Sequence, residues 1–357
     1  MRLRLPWRRP AELQQRALDT PVVLRGRVWV GDGAELTEGV VVVDKDGMVR
    51  ACGEAGAVDV PPDATTIDAA WVGPGLVDAH VHLAFGDPAE MLAGGVVAVR
   101  DLGAPPADAV RWRRLAAPKV EVAGPLLTAP GGYPSRTWGS GGFAAFVDEP
   151  DQAERLVTGL APQVDVVKLA LEPAGGRVPS LEVAAGVVAA AHAAGRDVTA
   201  HALTVAMVER ALDAGVDELA HLPVEPLPDE LLQRLVSEHV NVVTTMETLM
   251  RDASRAVVDN AAAIASAGGT LLYGTDLGNA GTKPGADPAE LKLLADEVGL
   301  GADGALRAAT EPIVVGEPAA LVALADDPRN DWRAYRHPVA VLVGLTLLTD
   351  GPPDGLT

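Results

Sequence analysis

From Gly75 onward the chain alternates strand-sized apolar runs with Ala- and Leu-rich stretches of helical spacing. No other feature limits the fold as strongly. Apolar runs fall near 75–82, 95–100, 118–127, 164–170, 196–202, 217–221, 240–245 and 270–275, with helices predicted between them, as over 180–194 and 203–214. Runs that are almost continuously apolar suit strands buried on both faces, as in a parallel sheet. Strand–helix units repeated over roughly 240 residues suit a (β/α)8 barrel better than an open doubly wound sheet. The predicted class is α/β: a TIM barrel with a small β-sandwich-like domain built from both chain ends.

The ends carry a different texture. Residues 22–68 read as short strands (VVLRGRVWV, GVVVVD, MVRAC and TTIDA) separated by turns such as Gly31-Asp32-Gly33 and Asp46-Gly47. That pattern predicts a small antiparallel module. Strand texture returns after residue 312 in AALVALAD and PVAVLVGLTLL. The predicted division is a basic tail over 1–20, a small β domain over 21–73 and 313–357, and the barrel over 74–312.

Hydrophobic residues make up 48% of the 357 positions but aromatics only 3%, so the core must be built mainly from Val, Leu and Ala. The net charge of -20 argues against general nucleic-acid binding. Arg2, Arg4, Arg8 and Arg9 are a local exception, read as part of a solvated tail because no apolar run of signal-peptide length follows them. No uninterrupted apolar stretch reaches the roughly 18 residues of a membrane span. The single Cys52 rules out an intrachain disulfide and a thiolate metal cluster. The expectation is a cytoplasmic enzyme with a small-molecule substrate and neither nucleic acid nor membrane as partner; a homo-oligomer is left open.

The segment PGLVDAHVHL places His80 and His82 two residues apart. On a strand, such residues project to one face, and two neutral imidazoles side by side can hold a divalent ion such as zinc. Lys168, His201, His221 and Asp276 follow, each at or near the end of an apolar run. Barrel active sites lie at the C-terminal ends of the strands, so these residues are expected to converge on one mouth. His192, His239 and His337 are read instead as helix-end or surface residues, Asp101 as a structural or turn contact, and Cys52 as packing. The Gly-rich loop TAPGGYPSRTWGSGG offers Tyr133 and Arg136 as substrate-binding candidates, the arginine as a bidentate partner for a carboxylate. Met246, Glu247 and Asn279 are also expected to face the mouth.

Together with AVRDLG, VDVVKLAL, AAHAAGRDVTAHA, GVDELAHL and YGTDLG, in that order, the first motif resembles the amidohydrolase superfamily, and within it the imidazolonepropionase-like and prolidase-like members. The resemblance implies that His80, His82 and Asp276 hold one divalent ion and that His201 and His221 hold a second. It further implies that Lys168, carbamylated by carbon dioxide, bridges the two ions, most simply zinc. A hydroxide shared by the ions would attack the carbonyl of an amide, cyclic amide or dipeptide-like bond, with Asp276 as catalytic base and then acid. The alternative is a mononuclear imidazolonepropionase-like or deaminase-like hydrolase in which Lys168 stays an unmodified amine. A barrel serving only as a binding or assembly protein is the non-catalytic reading, disfavoured because every ligand type is present. One departure from the family pattern is the short run from Thr310 into IVVGEPAALVALADDP, with Ala320 where an acidic residue is usual.

Overall fold

The computed structural model describes residues 14–250 and 255–349. Arg2, Arg4, Arg8 and Arg9 lie outside the described residues. Parallel strands and helices alternate from Leu76 to Leu272, as the apolar runs require. Strands Leu76–Val81, Val96–Asp101 and Lys119–Val122 form one parallel group. A second parallel group has seven strands and includes Val166–Ala170, Asp197–His201, Glu218–Leu219, Asn241–Val243 and Leu271–Leu272.

Backbone hydrogen bonds bridge the two groups at both junctions. At one, the N–H of Asp165 donates to the Val122 carbonyl at 2.8 Å; at the other, Ala79 donates to Tyr273 at 2.9 Å and Asp276 to His80 at 2.8 Å. The expected strand over 118–127 is broken after Val122, because Gly124 takes a left-handed φ of 67° and Pro125 follows it. Leu126–Thr128 then forms a separate strand.

All five residues of Val166–Ala170 are buried, the pattern expected of a strand covered on both faces. The helices close that cover. Helix Leu181–Ala193 starts at Ser180, whose hydroxyl accepts the Val183 N–H, and it buries Val183, Val187 and Val188. Helix Val205–Ala214 buries Met207, Val208, Ala211 and Leu212 and ends at Gly215 in the left-handed region (φ 82°).

The chain ends share one eight-stranded sheet with its own apolar cluster, centred on Leu24, Val41, Leu321 and Leu342. Trp29 and Trp71 stack at 6.5 Å on its other side and join the main core with Tyr335. Two expectations need correction here. The sheet is mixed, not purely antiparallel, since Val22–Trp29 pairs in parallel with Thr65–Pro74. Part of the supposed tail is a strand: Gln14–Ala17 pairs with Thr346–Thr349 at the sheet edge. Its largely exposed, polar sequence hides it, because an edge strand is held by backbone hydrogen bonds and needs no buried side chains. Among the described residues no helix is long and apolar enough to cross a membrane.

Candidate metal centre

His80 lies near the end of its strand, at 1% exposure, and His82, also buried, lies just past the strand. The His80 Nδ1 is 2.8 Å from the carbonyl oxygen of Ala220. A carbonyl can only accept, so the ring proton sits on Nδ1 and Nε2 keeps the lone pair that a metal needs. That Nε2 is buried without a hydrogen-bond partner and lies 3.4 Å from Asp276 Oδ1. His82 Nε2 lies 3.5 Å from the same oxygen. With metal–ligand bonds of about 2.0–2.2 Å, neighbouring donors around a tetrahedral ion are about 3.3–3.6 Å apart. The Asp276 oxygen already stands at that spacing from both imidazoles, and the ligand atoms of all three residues lie within 4.8 Å of one another.

Asp276 reaches the centre from the far end of the sequence through a left-handed backbone (φ 52°), which non-glycine residues adopt only when their surroundings impose it. Asp78 anchors this end of the centre. Its carboxyl accepts from the Thr275 N–H at 3.0 Å, the Thr275 hydroxyl at 2.5 Å and the His80 N–H at 3.2 Å. Gly103 keeps the His82 ring in place by having no side chain: a Cβ there would stand 3.1 Å from Nδ1.

Lys168 pairs with Thr199 across parallel strands. His201, two residues beyond Thr199, therefore projects on the same face one pleat further along. Lys168 is 1% exposed, and its Nζ has no hydrogen-bond partner among the described residues. Burial pushes its pKa down to about 7, against the pull of Asp276 and Glu218. The carboxyl of Asp276 is pushed the other way, upward, also by burial. All four central histidines are held below the usual imidazole range, chiefly by burial, His82 down to about 3. Neutral imidazole is the form that ligates.

The His221 ring lies 4.5 Å from that of His80 and 4.8 Å from that of His201. Its Nδ1 is 3.0 Å from the Thr245 hydroxyl and 4.0 Å from Asp276 Oδ2. All six expected ligands thus line a single cavity of about 150 Å³. Tyr133 lines it as well, with its ring 4.9 Å from that of His201. Arg136 does not: it is exposed and absent from the cavity wall, because the loop that carries Tyr133 inward bends and turns Arg136 out. Of the other mouth residues, Asn279 lines the cavity and donates through Nδ2 to the Asp276 carbonyl at 3.0 Å. Met246 and Glu247, also expected at the mouth, are not part of the cavity wall: Met246 is buried in the core and the Glu247 N–H donates to Glu290. His192, His239 and His337 are exposed, as expected, and Asp101 is a structural contact that accepts the N–H groups of Leu83 and Gly103.

Sequence reasoning missed Glu172. Its Oε1 accepts the Ala174 N–H at 2.7 Å, while Oε2 stands 3.2 Å from His201 Nε2. A carboxylate on Nε2 holds the ring proton there and leaves Nδ1 as the lone-pair atom. The only signal was an acidic residue opening the turn Glu172-Pro173-Ala174-Gly175, a common arrangement with many uses.

The site therefore has the donor set of a divalent-metal enzyme: neutral imidazoles, a carboxylate and a buried amine with nothing to bond. An Amidohydrolase family profile matches residues 71–312. The chain belongs to the amidohydrolase family and is a hydrolase acting on carbon–nitrogen bonds. An uncharacterized protein of Mycobacterium tuberculosis (strain H37Rv) is 26% identical over 385 residues, covering 95% of this chain and 96% of its own. The crystal structure of Aspergillus niger ochratoxinase matches with a TM-score of 0.79 at 18% identity, covering 93% of this chain and 95% of that one. A Xaa-Pro dipeptidase with methionine bound in its active site matches with a TM-score of 0.77 at 20% identity, over 93% and 100% of the two chains.

Proposed function

We propose that this protein is a binuclear metal-dependent hydrolase of a small-molecule amide-like bond, built on an eight-stranded (β/α)8 barrel with a small β domain from both chain ends. The observation that carries the two-ion reading is the Lys168 amine, buried and unpartnered between the two histidine pairs. An ammonium left there would be a buried, unpaired charge, which costs several kcal/mol. A carbamate on that nitrogen turns it into an anionic two-oxygen ligand, and burial favours the neutral amine that carbon dioxide requires. His80, His82 and Asp276 would hold one ion, His201 and His221 the other. Zinc suits the mixed nitrogen and oxygen donors.

When bound, such ions supply an activated water and polarise the substrate carbonyl. The chain's own residues do the rest. Asp276, raised by burial and facing both histidine pairs, takes a proton at its carboxylate and returns it to the departing nitrogen. His80 is fixed by Ala220, and His201 by Glu172, so neither ring needs to reorient during turnover. Tyr133 and the neighbouring aromatic loop shield the centre from bulk water. The mononuclear alternative would use only His80, His82 and Asp276, whose ligand atoms lie within 4.8 Å of one another.

Treating the protein with a chelator and then restoring zinc tests the reading. Amide hydrolysis is expected to vanish and return with the metal. Hydrolysis that persists in metal-free protein would sink it.

A further inference from the structure

The cavity wall facing the metal ligands is aromatic, in a chain that is only 3% aromatic. The chain has three phenylalanines, and two of them stand at this mouth: Phe85 and Phe143 stack at 6.0 Å. The Trp138 ring meets Phe85 at 6.1 Å, Phe143 at 5.7 Å and Tyr133 at 6.1 Å, each edge to face. This cluster abuts both halves of the metal centre, with Trp138 4.9 Å from His82 and Tyr133 4.9 Å from His201. Leu126 completes the apolar lining.

Charge complementarity for an anion is missing from the same wall. Among the described residues that line the cavity, Lys168 is the one cation, and it sits among the metal ligands. Arg136 is turned out to solvent. Arg177 is engaged by Asp148 at 2.8 Å. The whole chain carries a net charge of -20, a field that repels anionic substrates at long range. A carboxylate pressed against Trp138 and Phe85 would lose hydration and meet no cationic side chain on that wall.

Size narrows the class further. The space is about 150 Å³. An apolar cavity of about 150 Å³ is known to accept a benzene ring. The Tyr133 hydroxyl accepts the Trp138 indole N–H at 3.1 Å, which leaves its own proton free to donate to an acceptor in the cavity.

Building on the C–N hydrolase reading, we propose that the substrate carries an uncharged, ring-sized apolar group next to the scissile bond and no carboxylate there. Water adds to the amide carbonyl, the C–N bond breaks, and the products are a carboxylic acid and a neutral, apolar amine. No further reactant is needed.

A matched pair of amides tests this on the zinc-loaded full chain: N-acetylbenzylamine, and N-acetylphenylglycine, which differs by one carboxylate. The neutral compound is expected to have a kcat/KM at least about tenfold higher. Trp138→Ala is expected to lower kcat/KM for N-acetylbenzylamine about tenfold or more, and for N-methylacetamide, which carries no ring to contact the wall, by a clearly smaller factor. A preference for the acid, or an equal loss with both amides in Trp138→Ala, would overturn the proposal. Binding of the pair to the Asp276→Asn protein, read by tryptophan fluorescence, gives the preference without turnover. Tighter binding of the neutral compound there supports this pocket assignment even if hydrolysis of every amide fails, a failure that would count against the hydrolytic reading alone. Equal or reversed binding overturns the pocket assignment.

Discussion

Two cationic side chains in the strand layer of this molecule are treated in opposite ways. Arg100 Nη1 stands 2.8 Å from Glu218 and its Nε 3.1 Å from Glu121, so its charge is answered on both sides. Lys168, buried more deeply, has no hydrogen bond among the described residues. Glu218 takes the Arg100 guanidinium on both carboxylate oxygens, although its charge also acts on Lys168. On the function proposed above, the paired arginine serves the architecture and the unpaired lysine serves the chemistry.

The sharpest break of that contrast lies in the residue that faces the orphaned groups. Asp276→Asn keeps the shape of the side chain but cannot carry a proton. Turnover should fall by about 10²–10⁴-fold with the melting temperature nearly unchanged. Full activity in that variant would remove Asp276 from its role.

Next come the two cations themselves, compared in metal-free protein by urea denaturation. Glu218→Ala strips Arg100 of its main partner and should cost roughly 2–3 kcal/mol, less than a fully buried pair because Arg100 is partly exposed. Lys168→Met should cost little or even stabilise, since it removes an amine with no bond to lose. Equal destabilisation by both changes would erase the distinction between them.

A smaller effect is expected from Glu172→Gln. An amide can still cap Ala174 but answers the His201 Nε2 proton more weakly, so the affinity of the second ion should drop about 10–100-fold. Zinc competition against a chelator measures this, and an unchanged affinity would reduce Glu172 to a turn residue.

The last contrast concerns pH. His82 is held neutral down to about pH 3, whereas histidine in the unfolded chain titrates near its ordinary value of 6.5. Between those values the unfolded chain binds the extra proton. The stability contribution of His82 is therefore complete above pH 6.5 and is lost as pH falls toward 3. In metal-free protein, His82→Asn should make the stability–pH curve shallower in that window by at most ~1.4 kcal/mol per pH unit. An unaltered slope would mean that burial does not hold this ring neutral.

How much of this was legible in the residues follows from how each one is placed. Three of the six candidate ligands could be read because strands fix direction: His80, Lys168 and His201 lie on strands at or near the ends of apolar runs, and the pleat sends them inward, while His82, His221 and Asp276 follow shortly after strand ends. Arg136 and Glu172 sit on loops, where neighbouring residues can point anywhere and only the folded backbone decides. Arg136 was expected in the pocket and is outside it; Glu172 drew no attention and lies against a ligand. The strand Gln14–Ala17 escaped for a related reason, since its place is set by backbone pairing with Thr346–Thr349 and leaves no apolar mark in the sequence. The parallel pairing of Val22–Trp29 with Thr65–Pro74 is likewise a matter of connection path, which local turn signals do not report.

The central claim, that Lys168 is held bare for a ligand role between two ions, is tested most directly by zinc content per chain, measured side by side for the wild type and Lys168→Ala after reconstitution in bicarbonate. The expected result is about two ions in the wild type and no more than about one in the variant. Equal zinc in both proteins would contradict it.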